Sequence, residues 1–120
     1  MRYLCLVCFD AKEIDNITAE DWKQMQRASG AYDEQLERSG HMVLAQALAS
    51  VDTATTVRKR NGKISTTDGP FAETKEQVAG FILIEAADLD EAIRIAADIP
   101  LAAIGSVEVR PIMDYKSGLQ

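Results

Sequence analysis

One histidine and two cysteines are the whole stock of soft, metal-seeking side chains in this chain of 120 residues. A structural zinc ion takes four such ligands, so none is expected. Carboxylates are plentiful, but no spacing among them fixes a cage for a harder cation. No cofactor is expected either: a P-loop, a dinucleotide-binding glycine pattern and a nucleophile elbow are all missing. Positive charge is scarce, with net charge −6. An acidic chain of this size has no electrostatic reason to bind nucleic acid. The one basic run, Arg58-Lys59-Arg60, reads as a solvated hairpin tip. No apolar stretch approaches the ~20 residues of a membrane span. The apolar N-terminus is short and ends in Phe9-Asp10 rather than at a small-residue cleavage site. It reads as a strand, and the protein as cytoplasmic. Aromatic residues are only 6%, so a core must come mainly from Ala, Val, Ile and Leu, enough for one domain spanning residues 1–120.

Cys5 and Cys8 have C-x-x-C spacing. A redox motif of that form needs a helix N-terminus to stabilise the thiolate. Residues three apart on a strand instead point to opposite faces, roughly 10 Å apart. A disulfide needs Cα atoms within about 7 Å. The pair therefore reads as two small buried hydrophobes.

The elements follow from periodicity. Residues 2–9 form a strand that is apolar on both faces, with Tyr3, Cys5, Val7 and Phe9 on one side and Leu4, Leu6 and Cys8 on the other. Residues 10–17 read as a polar loop. Thr18 caps a helix whose buried stripe is Trp22, Met25, Ser29, Tyr32 and Leu36 and which Gly40 ends. A strand follows at 41–49. Asn61-Gly62 marks a type I′ turn between paired strands 54–60 and 63–67. Residues 68–71 are a loop, 72–77 a single helical turn, and 78–86 another two-faced apolar strand. Asp88 and Glu91 form a capping box for a second helix, with Leu89, Ala92, Ile93, Ala96 and Ile99 as its buried stripe. Residues 106–112 are the last strand.

The order β-α-β-(hairpin)-β-α-β is a ferredoxin-like α+β plan: an antiparallel sheet, two helices on one face and an inserted hairpin. That plan places the two apolar-on-both-faces strands centrally. Two helices cover one face only, so the other needs a cover. A second copy supplies one through an isologous sheet-to-sheet contact. Folding of the hairpin over that face is the alternative.

The stretch Thr66-Thr67-Asp68-Gly69-Pro70-Phe71-Ala72-Glu73-Thr74-Lys75-Glu76-Gln77 resembles the signature of the DGPF subgroup of YCII-related proteins. Ala54–Arg58, Gly80-Phe81, Asp90-Glu91-Ala92 and Gly105–Pro111 extend the likeness along nearly the whole chain. The resemblance implies a dimeric α+β barrel. It also implies a link to extracytoplasmic-function sigma factors, beside which many members are encoded. Broader YCII-type proteins carry a His–Asp pair in a pocket, and a lyase-like dehydrochlorinase belongs to the superfamily. Here Asp68, with His41 assisting from outside that pair's local motif, is the corresponding acid–base candidate. On the dimer plan Arg110 and Glu108 either line an intersubunit cavity or pair with each other.

The loop has two readings. In one, Asp68, Gly69 and Pro70 make a turn and Phe71 anchors it in the core. In the other, the polar density of Asp68, Glu73, Lys75 and Glu76 marks a small-molecule site on a loop held by a rigid sheet. Asp68 would then be a general base with a pKa raised by Pro70 and Phe71, and Lys75 would hold an anionic group. His41, with the one side chain that titrates near neutrality unaided, is either catalytic or a hydrogen-bonded structural residue. A cofactor-independent lyase or isomerase and a non-catalytic regulatory domain both remain open.

Overall fold

In a computed structural model, which describes residues 1–113 and leaves the last seven residues of the expected domain outside that range, the N-terminal apolar run forms β1 (Arg2–Phe9). Two helices follow, α1 (Ala11–Asp15) and α2 (Ala19–Arg38). Next come β2 (Met42–Ala47), the hairpin strands β3 (Thr55–Arg60) and β4 (Lys63–Asp68), β5 (Gln77–Glu85), α3 (Leu89–Ala97) and β6 (Ser106–Pro111). The main sheet has the order β2-β5-β1-β6, with every pairing antiparallel. The two strands that are apolar on both faces, β1 and β5, are therefore the central pair, as the ferredoxin-like plan requires.

Local chemistry sets most of the boundaries. The Thr18 hydroxyl accepts from Asp21 N at 3.1 Å and caps α2. At its other end Gly40 takes φ +82°, and His41 N donates back to Leu36 O. Asp88 accepts from Glu91 N at 2.9 Å, while the Glu91 carboxylate reaches one residue beyond the cap and accepts from Ala87 N at 2.9 Å, a variant of the expected capping box of α3. Asn61 and Gly62 both have positive φ, as a type I′ turn demands.

The core lies between the sheet and the helices. Tyr3, Cys5 and Val7 from β1 and Ile82, Ile84 and Ala86 from β5 meet Leu36 of α2 and Ala92, Ile95 and Ala96 of α3. Tyr32 spans the two helices, its hydroxyl donating to Ile95 O at 2.6 Å. The stripe read for α3 needs correction. Ile95 is buried, whereas Leu89 and Ile93 are about half exposed. Ala92, Ile95, Ala96 and Ile99 make the packed face, so α3 is rotated by part of a turn from the orientation that Leu89 and Ile93 imply. Both cysteines are free thiols, Cys5 buried and Cys8 half-buried.

Burial pushes the Cys5 thiol up to about 11. Burial, aided by Asp98 and Cys5, pushes the Tyr32 phenol up to about 12. In both groups the neutral form is favoured in the folded state. Each contributes stability that is fully present below its unfolded pKa and is lost as pH rises through the folded value. The protein is therefore expected to lose stability steadily between about pH 9 and 12. Urea midpoints measured across that window check this; a flat profile would show that neither group stays buried.

Two departures from the sequence reading position the site. The segment 10–17 is not a plain loop: Asp10 caps the five-residue α1 by accepting from Lys12 N at 3.0 Å. Residues 72–77 form no helical turn. The Gln77 side chain ties them instead, donating to Thr74 O at 2.9 Å and Ala72 O at 3.2 Å. A side chain that satisfies those carbonyls removes the need for a helical ladder.

The molecule is a slab of 47 × 44 × 19 Å. Its thin dimension fits one helix layer on one sheet, each about 10 Å deep. On the face away from the helices lie Leu4, Leu6, Phe81, Leu83 and Leu44, brought side by side by the register of β1, β5 and β2. Among the described residues nothing covers them. The β3–β4 hairpin forms its own two-stranded sheet and does not fold over this face.

Candidate functional site

The loop after β4 begins where the hairpin ends. Asp68 pairs with Thr55 in the last rung. Gly69 N donates to Ala54 O at 2.8 Å, and the Thr56 hydroxyl donates to Gly69 O at 2.7 Å. Gly69 has φ +103°, a conformation that an L side chain strains to adopt. These bonds close the turn without the Asp68 side chain. Its carboxylate accepts no hydrogen bond from the described residues and is exposed.

Asp68 borders a cleft of about 730 Å³ between the loop, the start of α1 and the segment after β2. Gly69, Pro70, Glu73 and Lys75 line the same cleft, so the structure gathers five of the residues singled out in the sequence. It adds Asp10, Asp15 and Asp52. Five acidic residues therefore line the cleft against one lysine, Lys75, and the cleft disfavours anions. The Asp10 residue is only 8% exposed, yet it lines both this cleft and an adjoining one of about 630 Å³. The second cleft opens beside the uncovered sheet face and is bordered by Cys8, Glu76, Ser106 and Glu108. There the Ser106 hydroxyl donates to the Glu76 carboxylate at 2.7 Å. Burial, then Glu108 and Glu76, raise the Cys8 pKa, so this thiol is a poor nucleophile. Among the described residues no three His, Cys, Asp or Glu side chains converge to hold a metal ion.

A β-bulge shapes the cleft wall. The partner of Val7 is Gly80 but that of Cys8 is Val78, which leaves Ala79 as the extra residue of β5. Bulges re-aim a strand at a sheet rim, and here Ala79 and Val78 turn toward the cleft.

Three singled-out residues lie elsewhere. His41 precedes β2, and its carbonyl accepts from Glu85 N at the far end of β5. Asp68 adjoins the Gln77 end of that nine-residue strand, so strand length alone separates the two by about 25 Å. His41 Nδ1 instead shares a hydrogen bond with the Ser39 hydroxyl at 2.7 Å, and Nε2 is 3.4 Å from Glu91. Arg110 pairs with Glu108 on β6. Phe71 does not anchor the loop in the core. It is 83% exposed, because the Gln77 tie and the Thr56–Gly69 bond already hold the segment. Sequence reasoning missed Asp10; its signal was an Asp at the end of an apolar strand, the N-cap position for Ala11-Lys12-Glu13.

The chain matches the YCII-related domain family over residues 1–116. It is also 35% identical over 116 residues to an uncharacterised protein of Rhizobium meliloti (strain 1021), with 94% of each chain covered. A family match that spans residues 1–116, together with a relative 35% identical over nearly the whole chain, shows that the chain belongs to the YCII-related family.

Proposed function

We propose that this domain, of the DGPF subgroup, binds a small neutral or cationic molecule in the cleft beside Asp68, as a homodimer packed through its uncovered sheet faces. The observation that carries the reading is the Asp68 carboxylate. Its backbone is locked into the hairpin's last rung and the turn is closed by other groups, yet among the described residues its side chain has no hydrogen-bond partner, and the residue lines a large cavity. A residue held rigidly with unused acceptors is suited to orient a ligand or to take a proton from it. Asp10 is the second carboxylate of this reading. His41 of the same chain is too distant to assist, so any chemistry would be cofactor-free carboxylate acid–base work of the lyase or isomerase kind.

The alternative is a non-catalytic domain that senses a ligand, linked to an extracytoplasmic-function sigma factor. It draws support from the same cleft: no histidine borders it, and the nearest thiol is disfavoured as a thiolate.

The test is a thermal-shift panel of small amines, amino acids and polyols on the wild type and on Asp68→Asn. Asp68 is exposed, so the unliganded variant should melt within about 0.5 kcal/mol of the wild type. Ligand-induced shifts should shrink, with affinity about tenfold weaker. A variant that loses stability and keeps the ligand response would make Asp68 a turn residue and sink the binding role. Turnover abolished in Asp68→Asn with binding retained would favour the enzyme over the sensor.

A further inference from the structure

Among the described residues the β3–β4 hairpin has no home on its own subunit. It pairs with no other strand there, and its apolar side chains stand exposed: Val57 is 63% exposed and Ile64 70%, with Phe71 at its base 83%. A lone two-stranded hairpin is marginal at best in water. The radius of gyration is 16.4 Å, against about 14 Å for a compact chain of this length, and the projecting hairpin is the visible reason.

The register sorts its two faces. Thr55, Val57 and Lys59 lie opposite Asp68, Thr66 and Ile64, so both exposed aliphatic residues share one face, with Asp68 at its base. At that base Leu48, Val51, Pro70, Phe71 and Val78 border one cavity. Val78 is the partner of Cys8, on the uncovered side of the sheet. An apolar strip thus runs from the open sheet face to the foot of the hairpin.

Charge is divided in the same way. The hairpin from Thr55 to Asp68 holds four of the thirteen basic residues (Arg58, Lys59, Arg60 and Lys63) and one of the nineteen acidic ones, Asp68 at its root, so the arm carries +3 and the remainder of the chain −9. A basic arm on an acidic body complements another body of the same kind.

We infer that the β3–β4 hairpin is an exchange arm that leaves its own subunit and docks on a second copy of this chain, laying Val57 and Ile64 on that copy and its basic tip on that copy's acidic surface. The inference rests on the homodimer proposed above but assigns a separate element to it. Each cleft, which has Asp68 and Gly69 at the root of an arm, is then framed by an element whose position the partner sets.

Two experiments test it. Zero-length carboxyl–amine coupling of isotopically mixed dimers, read by mass spectrometry, should join Lys59 or Lys63 to an acidic residue of the other copy. Coupling confined to one copy overturns the inference. Separately, Val57→Ser with Ile64→Ser, and Lys59→Glu, whose side chain shares their face, should each raise the dimer dissociation constant by about tenfold or more, the charge variant less so at high salt. Circular dichroism checks that both variants stay folded. Wild-type dimerisation in both variants overturns the arm, even where Leu83→Asp on the sheet face gives monomers. Loss of dimer in the arm variants but not in Leu83→Asp keeps the arm and removes the sheet contact. Duplex DNA bound by the wild type and lost in the charge variant, with dimerisation unchanged, assigns the arm to nucleic acid instead and overturns the inference.

Discussion

Gly105→Ala is expected to destabilise the domain strongly although it adds only one methyl group. Gly105 closes the short 3-10 turn that begins at Pro100 and leads into β6, with its N–H donating to Leu101 O at 2.9 Å. A Cβ at this position would lie 2.0 Å from the Cys8 carbonyl oxygen, 3.0 Å from the Cys8 carbonyl carbon and 2.9 Å from Phe9 Cβ. The first two atoms are backbone of a central strand and cannot swing aside. Relief requires β6 to part from β1 near the Cys8–Ser106 rung, where the sheet carries its second cleft. The expected cost is about 3 kcal/mol or more, a large share of the whole stability of a small domain. Urea unfolding at neutral pH measures it, and a melting temperature within a few degrees of the wild type would show that β6 slides freely. Gly69→Ala provides the contrast: nothing lies within 4 Å of a Cβ there, and only the positive φ is strained. Its cost should be about 1–2 kcal/mol.

The architecture was readable because it rests on period and punctuation. β1 and β5 alternate without a polar face, Asn61-Gly62 fixes the hairpin register, and Thr18, Gly40 and Asp88 mark helix ends by their own hydrogen bonds. What escaped depends on contacts remote in sequence. Ile93 and Ile95 are equally apolar, and only the orientation of α3 on the sheet decides that Ile95 is buried. The five residues of α1 are too few to show a periodic face. Residues 72–77 have helical composition, but the Gln77 amide reaches their carbonyls first. The site was half legible for the same reason. The residues from Asp68 to Lys75 stand together in sequence, whereas Asp10, Asp15 and Asp52 join them only because β1, β2 and the loop end at the same rim of the sheet. His41 looked like a partner because it is the single histidine, and residue type carries no information about which end of a strand it occupies.

Leu83→Asp is expected to abolish the proposed dimer while leaving the subunit folded, and the residue beside it provides the control. Leu83 and Ile84 are consecutive on β5 and point to opposite faces. Ile84 is fully buried against the helices, while Leu83 lies on the uncovered face between Leu4 and Leu44. In a lone subunit Leu83 is partly exposed, so an aspartate there stays hydrated and the fold survives. Between two sheets the same carboxylate would be buried twice without a partner, once in each copy. A penalty of about 4 kcal/mol corresponds to a dissociation constant raised by about a thousandfold. Ile84→Ala instead leaves a cavity in the subunit core and should cost about 3 kcal/mol whatever the oligomeric state. Melting temperature against concentration separates the two effects, because a dimer's stability rises with protomer concentration and a monomer's does not. The wild type should melt higher as it is concentrated. Ile84→Ala should melt lower at every concentration but keep the slope, and Leu83→Asp should lose the slope. A Leu83→Asp protein that still sediments as a dimer would move the contact off the sheet face, leaving Leu4, Leu6, Phe81 and Leu83 as an apolar surface in need of another cover.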